Sequence, residues 1–203
     1  MDPKETAASY DALADFWNGA DFDRENGIEA HERALRFAPR EGRALDVGCG
    51  SSGRVIELLL ARGFAVEGLD ISAKMLAHAR ARHPQAHFHH ADIVSWAAAH
   101  RYAFISAWDS IWHVPLADQR AVLEKLCRAL APAGVLIFTT GGIEQPEART
   151  NLCMGQPLYH AALGLPNLLG IADGTGCVCR HLEYDQPEGE GPGSHVYLIF
   201  QRT

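Results

Sequence analysis

The fold is decided by one stretch of the chain, Ala44-Leu45-Asp46-Val47-Gly48-Cys49-Gly50-Ser51-Ser52-Gly53. Its first four residues are typical of a buried strand, and the glycines that follow have the spacing G-x-G-x-x-G. A helix is predicted from about residue 53 to 62, because Val55, Ile56 and Leu59 recur there at helical spacing. A strand, a glycine turn and a helix in this order bring the backbone of the turn close to a nucleotide-like ligand.

Strand-like and helix-like segments alternate along most of the chain, which predicts an α/β fold with a mostly parallel sheet and helices on both faces. The predicted strands are residues 44–47, 65–70, 86–91, 103–107, 134–140, 177–184 and 195–202. The further predicted helices are residues 73–82, 117–130 and 166–173, with two or three more within residues 6–38. The loop Pro187–Ser194 is too short for a crossover helix, so the last two strands are expected to form an antiparallel hairpin.

The 203 residues are expected to form a single domain, residues 1–203, that buries a sizeable core. Residues 1–40 are predicted to be a helical N-terminal cap. Residues 141–164 lack a clear period and carry Gly, Pro, Asn and Tyr. We therefore expect a loop-rich insertion over residues 141–176.

Composition narrows the class of protein. The chain is 47% hydrophobic with a net charge of −7, and it has no apolar run long enough to span a membrane. Basic residues are scattered, which disfavours a nucleic-acid partner. The five cysteines are odd in number and show no disulfide spacing, and the N-terminus does not resemble a secretion signal. A cytoplasmic protein that acts on a small molecule is expected.

Three carboxylates lie at the ends of three successive predicted strands: Asp46, Asp70 and Asp92. In an open α/β sheet the carboxyl ends of parallel strands meet at one edge, where ligands bind. Asp46 beside the glycine loop would repel a pyrophosphate but attract an ammonium or a sulfonium group. Asp70, which lies 17 residues after Gly53 (70 − 53), can accept both hydroxyls of a ribose. Asp92 could accept the adenine amino group, although each aspartate alone could also be a helix cap or a turn residue.

With these features the chain resembles class I S-adenosylmethionine-dependent methyltransferases of the small-molecule type. The resemblance covers residues 40–140 well and rests on the segments Leu45–Gly50, Gly68–Leu76, Ala91–Ile93 and Leu130–Leu136. One departure is Ser52, where many relatives carry a bulkier or different residue, and Arg54 follows in the first turn of the helix; neither alters the resemblance. The resemblance implies a Rossmann-like seven-stranded sheet in which only the last strand is antiparallel.

The resemblance also implies the cofactor S-adenosylmethionine and the residues that hold it. Asp46 and the Gly48–Gly50 backbone are expected to hold the methionine part, Asp70 the ribose, and Asp92 with Ile93 the adenine. The other cofactor-binding residues that we expect are Tyr10, Cys49, Ile71, Met75 and Trp108. Tyr10 and Trp17 of the N-terminal helices are expected either to close over the cofactor, as that region does in the family, or to take part in ordinary helix packing.

On the acceptor side, His113 is the best placed general base because an unperturbed histidine titrates near neutrality. It could equally cap a helix or bond the backbone. Trp112 is expected either to wall the site or to pack. Within the insertion, Met154, Tyr159 and His160 are expected where acceptor choice resides.

No metal site is expected. His87, His89 and His90 lack a Cys or carboxylate partner that would complete one, and Cys177-Val178-Cys179 is a poor zinc motif, so these residues are interpreted as strand residues.

The sequence therefore predicts transfer of a methyl group from S-adenosylmethionine to a small-molecule acceptor that it does not identify. Two alternatives stay open: a non-catalytic S-adenosylmethionine-binding protein and a nicotinamide-dependent oxidoreductase, against which Asp46 and the closing hairpin argue. A macromolecular acceptor is a third alternative. The Asn/Asp-Pro-Pro-aromatic motif of amide-nitrogen methylation is replaced by Trp108-Asp109-Ser110-Ile111, which disfavours activity on DNA adenine or on glutamine.

Overall fold

A computed structural model describes residues 2–19, 22–186 and 195–203. Its main sheet has seven strands in the spatial order β3-β2-β1-β4-β5-β9-β8. These strands are β1 Arg43–Val47, β2 Ala65–Asp70, β3 His87–His90, β4 Tyr102–Ala107, β5 Leu130–Gly141, β8 Cys177–Gln186 and β9 His195–Arg202. Strand β9 is antiparallel to β5 and β8, while the pairs among β1 to β5 are parallel. The Rossmann-like fold and the closing hairpin are confirmed, and the predicted loop Pro187–Ser194 lies outside the described residues.

Six α-helices accompany the sheet in the described ranges. They are α1 Pro3–Trp17, α2 Ile28–Leu35, α3 Arg54–Ala61, α4 Ala73–Arg82, α5 Leu116–Ala129 and α6 Leu165–Gly174. Among these, no helix has the length and apolarity that crossing a bilayer requires. The boundary between α5 and β5 falls at Ala129, one residue before the predicted helix end, because Leu130 already pairs with Tyr102 of β4.

Adjacent residues of each strand serve different cores, because side chains alternate across a sheet. In β1, Leu45 joins the core on the α5 and α6 face, and Ala44 joins the core on the α3 face. In β4, Ile105 and Phe104 divide in the same way, and both are fully buried. This double burial explains why the parallel strands are continuous apolar runs in the sequence.

The insertion after β5 differs from the prediction. Instead of a loop-rich segment, the chain forms a separate antiparallel hairpin of β6 Glu147–Cys153 and β7 Gln156–Ala162, followed by α6. The prediction of a loop-rich insertion is therefore wrong. Strand β6 is mostly exposed, so it lacks the apolar alternation by which a strand is recognised.

The hairpin contacts the N-terminal helix. Ser9 of α1 donates a hydrogen bond to the carbonyl of Pro157 in β7 at 2.8 Å. Helix α1 also contacts α4. Residues of α1 and α4 line one cleft with residues at the carboxyl ends of the parallel strands.

Candidate functional site

The glycine loop after β1 turns in a way that needs glycine. Gly48 and Gly50 have φ angles of 70° and 59°, in the left-handed region. A Cβ at Gly48 would lie 2.3 Å from the Cβ of Ser110, whose hydroxyl donates to the carbonyl of Val47 at 2.8 Å. A Cβ at Gly50 would meet nothing within 4 Å. The loop is therefore packed against the β4 side at Gly48, and it faces open space at Gly50.

Asp70, the last residue of β2, ties this loop to the start of α4. One carboxylate oxygen accepts the N–H of Gly50 and the other accepts the N–H of Ser72, both at 2.8 Å. Burial raises the pKa of Asp70, and the backbone hydrogen bonds oppose that rise. A carboxylate has about four lone-pair positions, so each oxygen can still accept a ligand hydroxyl.

A cleft with a cavity volume of about 180 Å³ lies over this edge of the sheet. All the predicted cofactor-binding residues except Asp46 line it, and so does the predicted base His113. They are Tyr10, Gly48, Cys49, Gly50, Asp70, Ile71, Met75, Asp92, Ile93, Trp108 and His113. The structure thus brings together residues from α1, α4 and the ends of four elements of the sheet.

Asp46 lies beneath the wall of the cleft, with only 4% of its surface exposed. Burial raises its pKa to about 7, against the opposing effects of Arg54 and of a hydrogen bond with Ser106. Ser106 is in turn bonded to the buried ring of His31 at 2.9 Å. Asp46 can therefore act on a bound ligand through its charge, and its placement does not give it a lining contact.

Asp92 and the isoleucines mark the other end of the cleft. Asp92 accepts the N–H of Val94 at 2.9 Å, so its carboxylate closes a local turn. Ile71 and Ile93 line the cleft beside it. The adenine role of these residues stays a prediction that their position favours.

The prediction of His113 as a general base assumed a pKa near neutrality, and its surroundings do not support that assumption. The ring donates from Nδ1 to the carbonyl of Tyr159 at 2.7 Å, which fixes Nε2 as the acceptor. Nε2 then accepts from Trp112 at 2.9 Å and from the hydroxyl of Tyr10 at 2.6 Å. Burial lowers the pKa of His113 to about 4. The assumption of a pKa near neutrality is therefore wrong for His113. In addition, the lone pair on Nε2 already accepts hydrogen bonds from Tyr10 and Trp112.

Some of the remaining aromatic side chains line the cleft, and others pack against neighbouring side chains. Trp17 and Trp108 line the cleft, but the Trp108 ring also packs at 5.1 Å from His31. Trp112 packs against His160 and is not among the lining residues. Trp112 therefore packs, and the alternative that it walls the site is not supported.

The three predicted residues of the insertion, Met154, Tyr159 and His160, do not line the cleft. Tyr159 holds His113 through its carbonyl and accepts the N–H of Leu116 at its hydroxyl, 3.0 Å away. The His160 ring lies 4.9 Å from that of His113, and Met154 is half exposed at the turn of the hairpin. None of the three is among the cleft-lining residues, so any effect on the acceptor passes through His113 and its neighbours.

Two charged residues that line the cleft, Asp109 and Arg54, were not predicted from the sequence as site residues. The first is Asp109, which follows β4 with a φ of 51°, a rare conformation for a residue with a side chain. Its N–H donates to Thr139 at 2.8 Å, and its carboxylate accepts from Nε2 of His195 at 3.1 Å. Asp109 lies two residues after the end of the apolar strand β4. An aspartate near the carboxyl end of a strand is the signal that identified Asp70, so Asp109 could have been found from the sequence.

His195 is held between two carboxylates. Its Nε2 bonds Asp109 and its Nδ1 bonds Asp185. Because a carboxylate only accepts, both ring nitrogens carry protons and the ring is cationic. Burial lowers the pKa of His195, but the bonds to Asp109 and Asp185 outweigh it, so the pKa is raised. Asp109 is 86 residues away in sequence, so no local pattern predicts this pair.

The second missed residue is Arg54, in the first turn of α3. Its Nε donates to the carbonyl of Asn26 at 2.8 Å and its Nη1 to the hydroxyl of Ser52 at 3.2 Å. Its guanidinium carbon lies 4.9 Å from the centre of the Phe22 ring. Burial lowers the pKa of Arg54, which stays cationic.

Comparisons with known proteins agree with this geometry. The sequence profile of a methyltransferase domain matches residues 22–163. The chain is 34% identical over 197 residues to dTDP-3-amino-3,6-dideoxy-alpha-D-glucopyranose N,N-dimethyltransferase of Streptomyces fradiae, covering 96% of the chain and 70% of that protein. It is also 34% identical over 170 residues to trans-aconitate 2-methyltransferase of Paracidovorax citrulli (strain AAC00-1), covering 77% of the chain and 65% of that relative, a little under two thirds.

The fold is similar to that of an S-adenosylmethionine-dependent methyltransferase from Clostridium acetobutylicum ATCC 824, with a TM-score of 0.72 and 13% identity over 95% of the chain and 98% of that structure. The sheet order and the cleft define an α/β protein that binds a nucleoside-type cofactor at the carboxyl edge of its strands. The chain belongs to the class I S-adenosylmethionine-dependent methyltransferases.

The cleft fits S-adenosylmethionine, the cofactor of this family. Three buried polar atoms of lining residues, Ser51 Oγ, Trp17 Nε1 and Trp108 Nε1, have no hydrogen-bond partner within the part of the chain that the structure describes. Gly50 presents its backbone to open space, and Asp70 retains acceptor capacity. The cofactor supplies a methyl group activated by a sulfonium, and these residues would bind and orient it.

Replacing Asp70 tests the cofactor site. Asp70→Ala should weaken binding of S-adenosylhomocysteine at least about ten-fold, because a charged acceptor and the anchor of the glycine loop are both lost. Isothermal titration calorimetry measures the affinity. Asp173→Asn, at an exposed carboxylate of α6, is the control. Unchanged affinity in Asp70→Ala would remove Asp70 from the site.

Stability against pH tests the burial of Asp46. Because its pKa in the folded protein, about 7, lies above the ordinary value of 3.8, the folded state binds the proton more tightly. The stabilisation is complete below pH 3.8 and is lost as the pH rises through about 7. Asp46→Asn stays neutral, so its free energy of unfolding should fall less than that of the parent protein between pH 5 and 8.

Urea denaturation of the cofactor-free proteins at pH 5, 6.5 and 8 measures this difference, which should be on the order of 1 kcal/mol or more. The exposed variant Asp173→Asn should follow the parent curve. Parallel curves for Asp46→Asn and the parent would show that Asp46 is not buried in this way.

Proposed function

We propose that the chain transfers the methyl group of S-adenosylmethionine to the nitrogen of a small-molecule amine. The observation that carries this proposal is the Asp109 carboxylate, which lines the cleft two residues after the end of β4 and is fixed by His195. Its neighbour Ser110 packs on Gly48, where the methionine part is expected. Asp109 therefore lies at the end of the cleft where the methyl group would be.

Charge explains why a carboxylate at this place favours an amine. During methyl transfer the positive charge leaves the sulfonium and develops on the attacking nitrogen. A fixed carboxylate beside that nitrogen stabilises the developing charge more than the starting state. His195 is cationic between two carboxylates, so the three groups together carry one net negative charge.

The lining charges argue against an acidic acceptor. Among the described lining residues, Asp70, Asp92 and Asp109 are acidic, and Arg54 alone is a lysine or arginine. A tricarboxylate such as trans-aconitate, named for one relative, would meet more repulsion than attraction here. The relative that matches 96% of the chain is named for an amino sugar, which agrees with a nitrogen acceptor.

Alignment and exclusion of water supply most of the catalysis. The cap, residues 1–40, and the insertion, residues 141–176, would form the acceptor side of one domain spanning residues 1–203. The bond between Ser9 and Pro157 joins them. Tyr10 and His113 would shape the acceptor pocket at their junction, with Tyr10 as donor and His113 as a neutral acceptor.

We place the protein in the cytoplasm and expect neither nucleic acid nor membrane as its partner. The odd number of cysteines and the net charge of −7 support this placement.

A methyl-acceptor screen tests the function. The chain is incubated with S-adenosylmethionine carrying a labelled methyl group and with matched acceptors that differ only in an amine, a hydroxyl or a carboxylate, amino sugars included. Label transfer to amines supports the proposal, whereas transfer only to carboxylates or hydroxyls contradicts it. Binding of S-adenosylhomocysteine without transfer to any acceptor would favour the non-catalytic alternative, and stabilisation by NADH or NADPH alone would favour an oxidoreductase.

Asp109→Asn should separate acceptor chemistry from cofactor binding. The variant keeps the shape of the side chain but removes the charge, so kcat/KM for an amine should fall about 100-fold. The affinity for S-adenosylhomocysteine should stay within about two-fold, because Asp109 would face the acceptor. Steady-state kinetics and calorimetry measure the two quantities, with Asp173→Asn as the matched control. An equal loss in both quantities would place Asp109 in the cofactor site.

A further inference from the structure

Arg54 is a half-buried cation that is held entirely by neutral groups. Its hydrogen bonds go to the Asn26 carbonyl and the Ser52 hydroxyl, and the Phe22 ring covers its guanidinium. Within the described ranges, no carboxylate oxygen lies within 4.0 Å of it. The carboxylates of Asp109, Asp46 and Asp23 act on Arg54 only at a distance. Because burial of a cation is costly unless an anion contacts it directly, this arrangement favours an anion supplied by a ligand.

The guanidinium lies at the methionine end of the cleft. Asp109 and Asp46 are the carboxylates whose charges act most on Arg54, and Asp92 at the adenine end is not among them. Arg54 follows Gly53, the last glycine of the loop, by one residue. The anion that it would receive therefore belongs near the Gly48–Gly50 backbone.

We propose that Arg54 binds the α-carboxylate of the methionine part of S-adenosylmethionine. Asp46 beneath the loop would act on the ammonium of the same amino acid, so the two charges of the ligand would face opposite charges of the protein. The planar guanidinium suits this task because it can present two parallel N–H groups to a carboxylate. Its contacts with Asn26 and Ser52 leave Nη2 without a hydrogen-bond partner among the described residues.

This inference stands apart from the proposed acceptor. It concerns the cofactor alone, so the failure of an amine acceptor would leave it untouched. It also explains how a cleft rich in carboxylates can hold the carboxylate of its cofactor. An anionic group of the acceptor is the competing source of the same chemistry, and the experiment separates the two.

The experiment compares two ligands that carry the methionine carboxylate with two that lack it. Calorimetry measures the affinities of S-adenosylhomocysteine, S-adenosylmethionine, decarboxylated S-adenosylmethionine and 5′-methylthioadenosine for the parent chain, Arg54→Met and Arg54→Lys. Arg54→Met should lose about 10- to 100-fold in affinity for the two ligands that carry a carboxylate. Its affinity for the decarboxylated compound and for 5′-methylthioadenosine should stay within about two-fold. Arg54→Lys should recover part of the loss, because it restores the charge without the planar geometry.

Three results would overturn the proposal. An equal loss for all four ligands would mean that Arg54 only holds the loop through Asn26 and Ser52. Unchanged affinities in Arg54→Met would exclude contact with the carboxylate. Unchanged cofactor affinities together with a raised KM for an anionic acceptor would assign Arg54 to the acceptor. Binding of 5′-methylthioadenosine also reports that the variant is folded.

Discussion

The Asp70 carboxylate is the constraint on which the site depends. It bridges the N–H of Gly50 in the loop after β1 and the N–H of Ser72 at the start of α4. A buried carboxylate with two backbone donors is fixed in position, so the loop and the helix are fixed relative to each other. Because β1 and β2 are parallel neighbours, this bridge forms at the sheet edge where their carboxyl ends meet. This connection fixes the glycine loop against the start of α4, and both segments line the cleft.

Each charged residue of the cleft is expected to interact with a different part of the cofactor or with the acceptor. Asp70 is expected to bind the ribose, Asp46 is expected to act on the methionine part from beneath the loop, and we propose that Asp109 faces the acceptor. Arg54 gives the methionine end a cation in a cleft that is otherwise acidic. A cofactor that carries both an ammonium and a carboxylate matches such a mixture, and an acceptor that becomes positive during the reaction matches Asp109.

Much of the fold was visible in the sequence because parallel strands buried on both faces are continuous apolar runs. The hairpin β6–β7 was not visible, since β6 lies largely in solvent and its residues need no apolar pattern. The positions of Asp46, Asp70 and Asp92 at or just beyond the carboxyl ends of strands could be predicted, because each lies at the end of an apolar run. The properties of His113 could not, because its pKa of about 4 comes from burial under α1 and β7. The partnership of Asp109 with His195 depends on β9 returning beside β5, which only the folded chain brings about.

A crystal structure of the chain with S-adenosylhomocysteine bound tests the central claim most directly. The account predicts both ribose hydroxyls within hydrogen-bond distance of the Asp70 carboxylate and the sulfur beside Gly48, on the side of Asp109. The glycine loop should keep its bond from Gly50 to Asp70. A nucleoside bound away from Asp70, or a sulfur that faces away from Asp109, would contradict the account.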